Sequence, residues 1–247
     1  MIERAVLLCA GSATRLRPLT DDRPKCLLDV GGETILGRAV RLLLGAGVSE
    51  LVIATGYRKE DVHAALAGLS AKVTFCHNAD FASTQNAVSL HHCAHAVVGR
   101  SFLKLDGDVL FNAAILERLL ADGAPLSVAV ERRADLGDEE MKVLANAQRI
   151  TAFGKKLDPR RAAGESIGIE KVDESASRAL FDALAGAIAA GRTDLYYEDV
   201  YGELIAAGMR ANLVDVTDLP WIEIDTAEDL ARARTWVGAG RLDVRKV

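Results

Sequence analysis

What most constrains this chain is the succession of two hydrophobic periodicities over its first 130 residues. Glu3 to Cys9 is a short apolar run ending at Ala10-Gly11, which suits a strand buried on both faces of a sheet. From Thr34 to Leu44 the apolar residues Ile35, Leu36, Ala39, Val40, Leu42 and Leu43 recur at helical spacing, and Gly45 and Gly47 stop the helix. Leu51 to Ala54 reads as a second strand. The alternation goes on with a helix near Glu60 to Ala67, a strand Lys72 to Cys76, a helix Asn86 to His95, a strand Phe102 to Leu105, a helix Asn112 to Ala121 and a strand Leu126 to Val130. Strands alternating with helices predict right-handed βαβ units. The expected fold class is therefore α/β, with a doubly wound, mostly parallel, Rossmann-like sheet.

Beyond residue 130 the texture changes. Lys142 to Leu144 and Arg149 to Phe153 read as short strands of a hairpin around Asn146-Ala147-Gln148. A strand Ile167 to Lys171, helices Ser175 to Ala190 and Glu198 to Ala207, and a strand Ala211 to Val216 follow. Trp221-Ile222-Glu223-Ile224-Asp225 then leads to a helix with Thr226 as its N-cap. This half is expected to add a small β-rich elaboration. At 247 residues one core is the expectation. Residues 1–247 are thus read as one domain, with halves 1–134 and 135–247 divided at the polar stretch Ala134 to Glu140.

Charge narrows the partners. Thirty Lys and Arg against 35 Asp and Glu leave −5, so no overall basic field would draw the chain to nucleic acid or an anionic membrane. A small-molecule partner is expected. The opening apolar run is too short for a signal-peptide core and no stretch has the length of a membrane span, so the expected location is cytoplasmic. Cys9, Cys26, Cys76 and Cys93 show no CxxC spacing, which points to reduced thiols rather than disulfides or a zinc site.

Three clusters carry chemistry. In the first, Leu8-Cys9-Ala10-Gly11-Ser12-Ala13-Thr14-Arg15, a strand runs into a loop of small residues whose backbone N–H groups can meet phosphate oxygens. Its single glycine excludes both the GxGxxG and the GxxxxGK[ST] patterns. A phosphate loop with two fixed cations, Arg15 and Lys25, remains, against the alternative of two solvated surface cations. In the second, Asp106-Gly107-Asp108 ends a strand, so both carboxylates can share one side at the rim where α/β sheets bind ligands; a plain turn is the alternative. The third is Glu223-Ile224-Asp225. Mg²⁺ takes hard oxygen ligands, which makes Asp108 with Asp225 a candidate pair, although Asp225 also suits a helix cap. Tyr57 and Arg58, at the end of the second strand, are candidate nucleotide contacts or an ordinary helix-start loop. Tyr196, Tyr197, Glu198 and Asp199 offer aromatic faces and carboxylates that suit an ammonium group. His91 and His95 have i, i+4 spacing but no accompanying carboxylate, so no metal is assigned to them.

The blocks LCAGSATRLRPLT with PK, LDGDV and EIDT resemble the signature blocks of the nucleoside-triphosphate transferases that make sugar nucleotides and CDP-alcohols. Within that superfamily the chain is most similar to the phosphocholine cytidylyltransferase group. That narrower likeness rests on Thr55 to Glu60, Gln85 to Leu90, Glu165 to Gly168, Asp194 to Asp199 and Pro220 to Thr226. The resemblance implies a Mg²⁺-dependent transfer of CMP from CTP to a small phosphorylated alcohol or amino alcohol, phosphocholine-like, with release of pyrophosphate. It implies that Ala10, Gly11 and Ser12 hold the nucleotide, flanked by Leu8 and Asp106, and that Thr84, Gln85 and Asn86 lie near base and ribose. Arg15, Lys25 and Asp108 become the catalytic set, Asp108 and Asp225 the metal ligands. It implies that residues 1–134 are a nucleotide-binding half and residues 135–247, with their small β-rich elaboration, an acceptor-binding half; Lys155 and Glu165 fall on the acceptor side, with Lys155 on the acceptor phosphate. A homodimer is left open. Two departures stand out: Ser12-Ala13-Thr14 replaces the family's second glycine, and the aromatic that walls a choline site is missing around Met141. The alternatives are a sugar-1-phosphate transferase using UTP or GTP, and a non-catalytic nucleotide-binding regulatory subunit. A dinucleotide oxidoreductase is excluded by the missing glycine pattern.

Overall fold

Eleven strands and eight α-helices make up the described residues, 2–243 of the computed structural model. Residue 1 and residues 244–247, which the single-domain reading included, lie outside them. In chain order the first half holds β1 (Arg4–Cys9), α1 (Ile35–Gly45), β2 (Glu50–Thr55), α2 (Lys59–Ala65), β3 (Lys72–His77), α3 (Asn86–His91), α4 (Ala94–Val97), β4 (Phe102–Asp106), β5 (Val109–Phe111), α5 (Ala114–Ala121) and β6 (Leu126–Glu131). The second half holds β7 (Lys142–Asn146), β8 (Arg149–Gly154), β9 (Gly164–Val172), α6 (Glu174–Ala189), α7 (Tyr197–Ala206), β10 (Ala211–Asp215), β11 (Trp221–Glu223) and α8 (Ala227–Gly238).

Nine strands form one sheet in the order β3-β2-β1-β4-β9-β6-β10-β8-β7. The first four are parallel, as the alternation of periods requires, with Leu8 of β1 beside Asp106 of β4. The remainder corrects the expectation of a mostly parallel sheet. β9 lies antiparallel to both β4 and β6, and β8 lies antiparallel to β10 and β7. A turn of only two residues, 147–148, joins β7 to β8, too short for the crossover that a parallel pair needs. The fold is therefore an α/β fold on a mixed sheet. Strands of both halves interleave in it, since β9 sits between β4 and β6.

Local chemistry explains most element ends. Asp173 caps α6 by accepting from the Ala176 N–H, one residue earlier than the periodicity suggested. Thr226 caps α8 as expected, in a reciprocal box with Asp229. The helix expected over residues 86–95 breaks after His91, where the Cys93 N–H bonds the Leu90 carbonyl at 2.9 Å in a tighter turn, and resumes as α4.

Alternate residues of β1 feed different apolar layers, as a two-residue period dictates. Val6 packs with residues of α3, α6 and α7, while Ala5, Leu7 and Cys9 pack with residues of α1, α2 and α5. A third, smaller cluster positions the site. Leu16 and Leu28 from the first long loop meet Leu110 of β5, Ile222 of β11, Ile224 and Leu230 of α8. The four cysteines are buried free thiols, and among the described residues no helix is long and apolar enough to cross a membrane.

Candidate active site

The site forms where β1 and β4 end side by side. The Gly107 N–H donates to the Leu8 carbonyl at 3.0 Å, and the Ala10 carbonyl accepts from the Tyr57 N–H, also at 3.0 Å. The loop then leaves the sheet through Ala13, whose φ of 47° places a non-glycine residue in the left-handed region. On the other side of Gly107 the chain turns into β5. This three-residue strand pairs antiparallel with β11, Val109 opposite Glu223, and the Ile224 N–H donates to the Asp108 carbonyl at 3.1 Å. That pairing brings the two distant acidic segments together.

The side chains complete the junction. Oxygens of Asp108, Glu223 and Asp225 all lie within 4.8 Å of one another. The Lys25 ammonium sits between two of them, 2.8 Å from Asp108 Oδ2 and 2.8 Å from Asp225 Oδ1, and an Arg15 N–H reaches Asp225 Oδ2 at 2.9 Å. Burial works against the charge of Lys25, but the pull of Asp108 and Asp225 outweighs it and holds the pKa above the ordinary lysine value. For Glu223 the protein crowding its carboxyl, and then the charges of Asp108 and Asp225, push the pKa up to about 8, although the residue's outer edge is exposed. Glu223 was absent from the expected metal ligands. Its signal, the two-residue spacing to Asp225 at a strand end, was legible in the sequence.

A cavity of about 770 Å³ opens beside this junction. Its wall includes Leu8, Ala10, Gly11, Ser12, Arg15, Thr84, Gln85 and Asn86 from the first half and Met141, Lys155, Glu165, Tyr196 and Glu198 from the second, with Asp106, Asp108 and Asp225. Lys25 lines the adjoining cleft with Arg15, Asp108 and Asp225. Three expected contacts are corrected. Tyr57 is not on the wall of this cavity: its hydroxyl donates to the Thr20 and Asp21 carbonyls at 3.0 and 2.8 Å, tying the Arg15–Lys25 loop to the end of β2. Tyr197 is fully buried beneath the wall, and Asp199 is spent capping α7 through the Tyr196 N–H. Both sit on the buried or capping side of the helix whose neighbours Tyr196 and Glu198 face the cavity. Sequence reading missed Phe81, Ser89, Glu139, Glu140 and Ser166 on the wall.

Beneath it lies a buried charged network. Lys104 and Glu170 are paired in register across β4 and β9, with Lys104 Nζ 3.0 Å from Glu170 Oε2 and 3.0 Å from Asp106 Oδ1. The Tyr197 hydroxyl donates to Asp106 Oδ2 at 2.9 Å. Burial pushes Glu170 up to about 7 against the attraction of Lys104. Gly168 makes room for this arrangement: its φ is +74°, and a Cβ there would stand 2.3 Å from Asp106 Oδ2. Gly168→Ala is expected to destabilise the fold by about 1–3 kcal/mol through backbone strain and overpacking. Thermal denaturation checks this, and an unchanged melting temperature would mean that Asp106 is not clamped.

Comparisons with known proteins follow from this geometry. A family model described as the MobA-like NTP transferase domain matches residues 5–185. Among curated proteins, the chain is 32% identical over 246 residues to the CMP-5'-(3-aminopropyl)phosphonate synthase of Streptomyces rubellomurinus, covering 93% of this chain and 38% of that protein. It is 27% identical over 238 residues to the bifunctional IPC transferase and DIPP synthase of Aquifex aeolicus, covering 96% and 52%. The chain thus spans about half or less of the length of these relatives. Among solved structures, the inositol-1-phosphate CTP transferase from T. maritima superposes with a TM-score of 0.80 at 22% identity, covering 97% of each chain. The CTP:phosphocholine cytidylyltransferase from Streptococcus pneumoniae gives 0.78 at 20% identity, covering 96% of this chain and all of the other. At those identities the two structures establish the shared fold.

Proposed function

The chain belongs to the MobA-like NTP transferase family, and from that premise we propose that it transfers a nucleoside monophosphate from a nucleoside triphosphate to a small phosphorylated acceptor, releasing pyrophosphate. One observation carries the reading: Lys25 and Arg15, from the loop that opens the chain, meet Asp108 and Asp225 beside a cavity of about 770 Å³. CTP is the proposed donor, because the names of the phosphonate synthase and of both solved neighbours specify CMP or CTP.

The donor set fits Mg²⁺. Asp108, Glu223 and Asp225 supply hard carboxylate oxygens within 4.8 Å of one another, and a cation that keeps some of its waters needs only one or two of them. Bound there, Mg²⁺ would neutralise phosphate charge on the nucleotide. The chain's own groups do the rest. Backbone N–H groups of Gly11 to Ala13 receive phosphate oxygens, Lys25 offsets charge near the α-phosphate, and Arg15 offsets charge on the departing pyrophosphate. An acceptor phosphate is already an anion at neutral pH, so its attack on phosphorus needs alignment rather than a protein base. Lys155, which lines the same cavity as the loop, is the proposed holder of that phosphate.

A pyrophosphate-release screen tests the reading by crossing four nucleoside triphosphates with aminoalkyl, polyol and hexose phosphates in Mg²⁺. Release is expected with CTP and at least one non-sugar acceptor. Activity with UTP or GTP and a hexose 1-phosphate alone would replace the donor and acceptor. No release with any pair would favour a binding subunit instead.

A further inference from the structure

We propose that the part of the cavity walled by Asp106, Tyr196 and Glu198 is a seat for a protonated primary amine, with Glu198 as the residue that selects it. The inference rests on the transferase reading and narrows its acceptor to aminoalkyl phosphates and phosphonates.

The first support is an unanswered hydrogen-bond acceptor. Glu198 is 6% exposed and lines the cavity, yet its buried Oε2 has no hydrogen-bond partner. A buried carboxylate oxygen left unpaired is costly, so a ligand that supplies a donor gains the difference. Two donors of this network, on Lys104 and Tyr197, are already engaged, and the Tyr201 hydroxyl, buried nearby, makes no bond to Glu198. An ammonium group has three donors, and those of Lys104 are drawn to Asp106, Glu170 and, at 3.3 Å, the Gly168 carbonyl. The Tyr197 hydroxyl is directed to Asp106.

Charge gives the second support. Among the described residues Lys104 is the one cation within this network, and it faces two buried carboxyls, Glu170 and Glu198, and the half-buried Asp106. Burial, with Asp106 and Glu170 nearby, pushes Glu198 up to about 8. A second cation entering from the cavity would favour its ionised form.

The third support separates a primary amine from a quaternary one. A trimethylammonium group is recognised by open aromatic faces, and here the chain's lysines already lie over them. Lys104 Nζ stands 3.5 Å from the centre of the Tyr197 ring and Lys155 Nζ 4.6 Å from that of Tyr196. What the seat offers is a lone pair for an N–H, which a fully methylated nitrogen cannot use.

Calorimetric titration of the protein with O-phosphoethanolamine and its mono-, di- and trimethylated forms tests the seat. Affinity is expected to fall along the series, by about 10- to 100-fold in total, the scale of a lost charge-assisted hydrogen bond. In Glu198→Gln, with a melting temperature close to wild type, the series should flatten. Equal or tighter binding of the trimethyl form overturns the proposal, and so does a slope that persists in a folded Glu198→Gln. If that variant does not fold, the wild-type series decides alone. The two readings fail separately. Turnover of CTP with inositol phosphate or a hexose 1-phosphate, without binding of any amine, overturns the seat and keeps the transferase. A sloped amine series without turnover of any nucleotide does the reverse.

Discussion

Asp108→Asn is expected to lower the rate of pyrophosphate release by roughly 10²- to 10³-fold, the scale of removing one preorganised charge contact from a transition state. The change keeps the shape of the side chain and leaves the Ile224 N–H bond to the Asp108 carbonyl untouched, since that bond is made by the backbone. The fold should therefore survive, and a melting curve alongside the rate separates chemistry from stability. What is lost is one of the three carboxylates that face one another, and with it a contact to the Lys25 ammonium. A rate within tenfold of wild type would remove Asp108 from the machinery and, with it, the proposed metal site.

Lys25→Met should produce two opposite effects. Turnover is expected to fall by roughly 10²- to 10³-fold, again as the loss of one fixed charge. Binding of Mn²⁺ or Mg²⁺ to the nucleotide-free protein should instead tighten by at least about tenfold, since a unit charge a few Å away in a partly screened site is worth more than the ~1.4 kcal/mol of a tenfold change. The reason is geometric. Lys25 Nζ stands 2.8 Å from an oxygen of each aspartate, so the lysine and a divalent ion compete for the same carboxylates. Calorimetry of metal binding, set beside the rate, checks both. Weaker metal binding in the variant would mean that Lys25 does not compete for the carboxylates.

The parts of this site that are continuous in sequence were legible there. A strand running into small residues, cations at fixed offsets behind it and Asp-Gly-Asp at a strand end are local patterns, and the structure places all of them on one rim. The parts that were not legible depend on partners far along the chain. β5 and β11 have three residues each, too few for any periodicity, and exist because they pair with each other. Glu223 joins the carboxylate group only through that pairing. Lys104 and Glu170 are charges set within apolar strands, and their sense appears only when β9 is laid antiparallel to β4. The same limit produced the errors around residue 197. On a helix, adjacent residues face about 100° apart, so a block such as Tyr196 to Asp199 cannot point all its side chains at one ligand. Tyr57 was misread for a related reason: a tyrosine at the end of a strand suggests a ligand contact, but the carbonyls of the neighbouring loop claim its hydroxyl first.

The small apolar cluster that joins Leu16 and Leu28 to Leu110, Ile222, Ile224 and Leu230 gives the final helix a part in chemistry set out at the opposite end of the polypeptide. A chain ending before Ala227 would retain every strand of the nine-stranded sheet, yet the foundation shared by the Arg15 loop and the β11 carboxylates would lose the face it takes from Leu230 and Ala233. Completeness of the scaffold and competence of the site are thus decided by different stretches of the molecule.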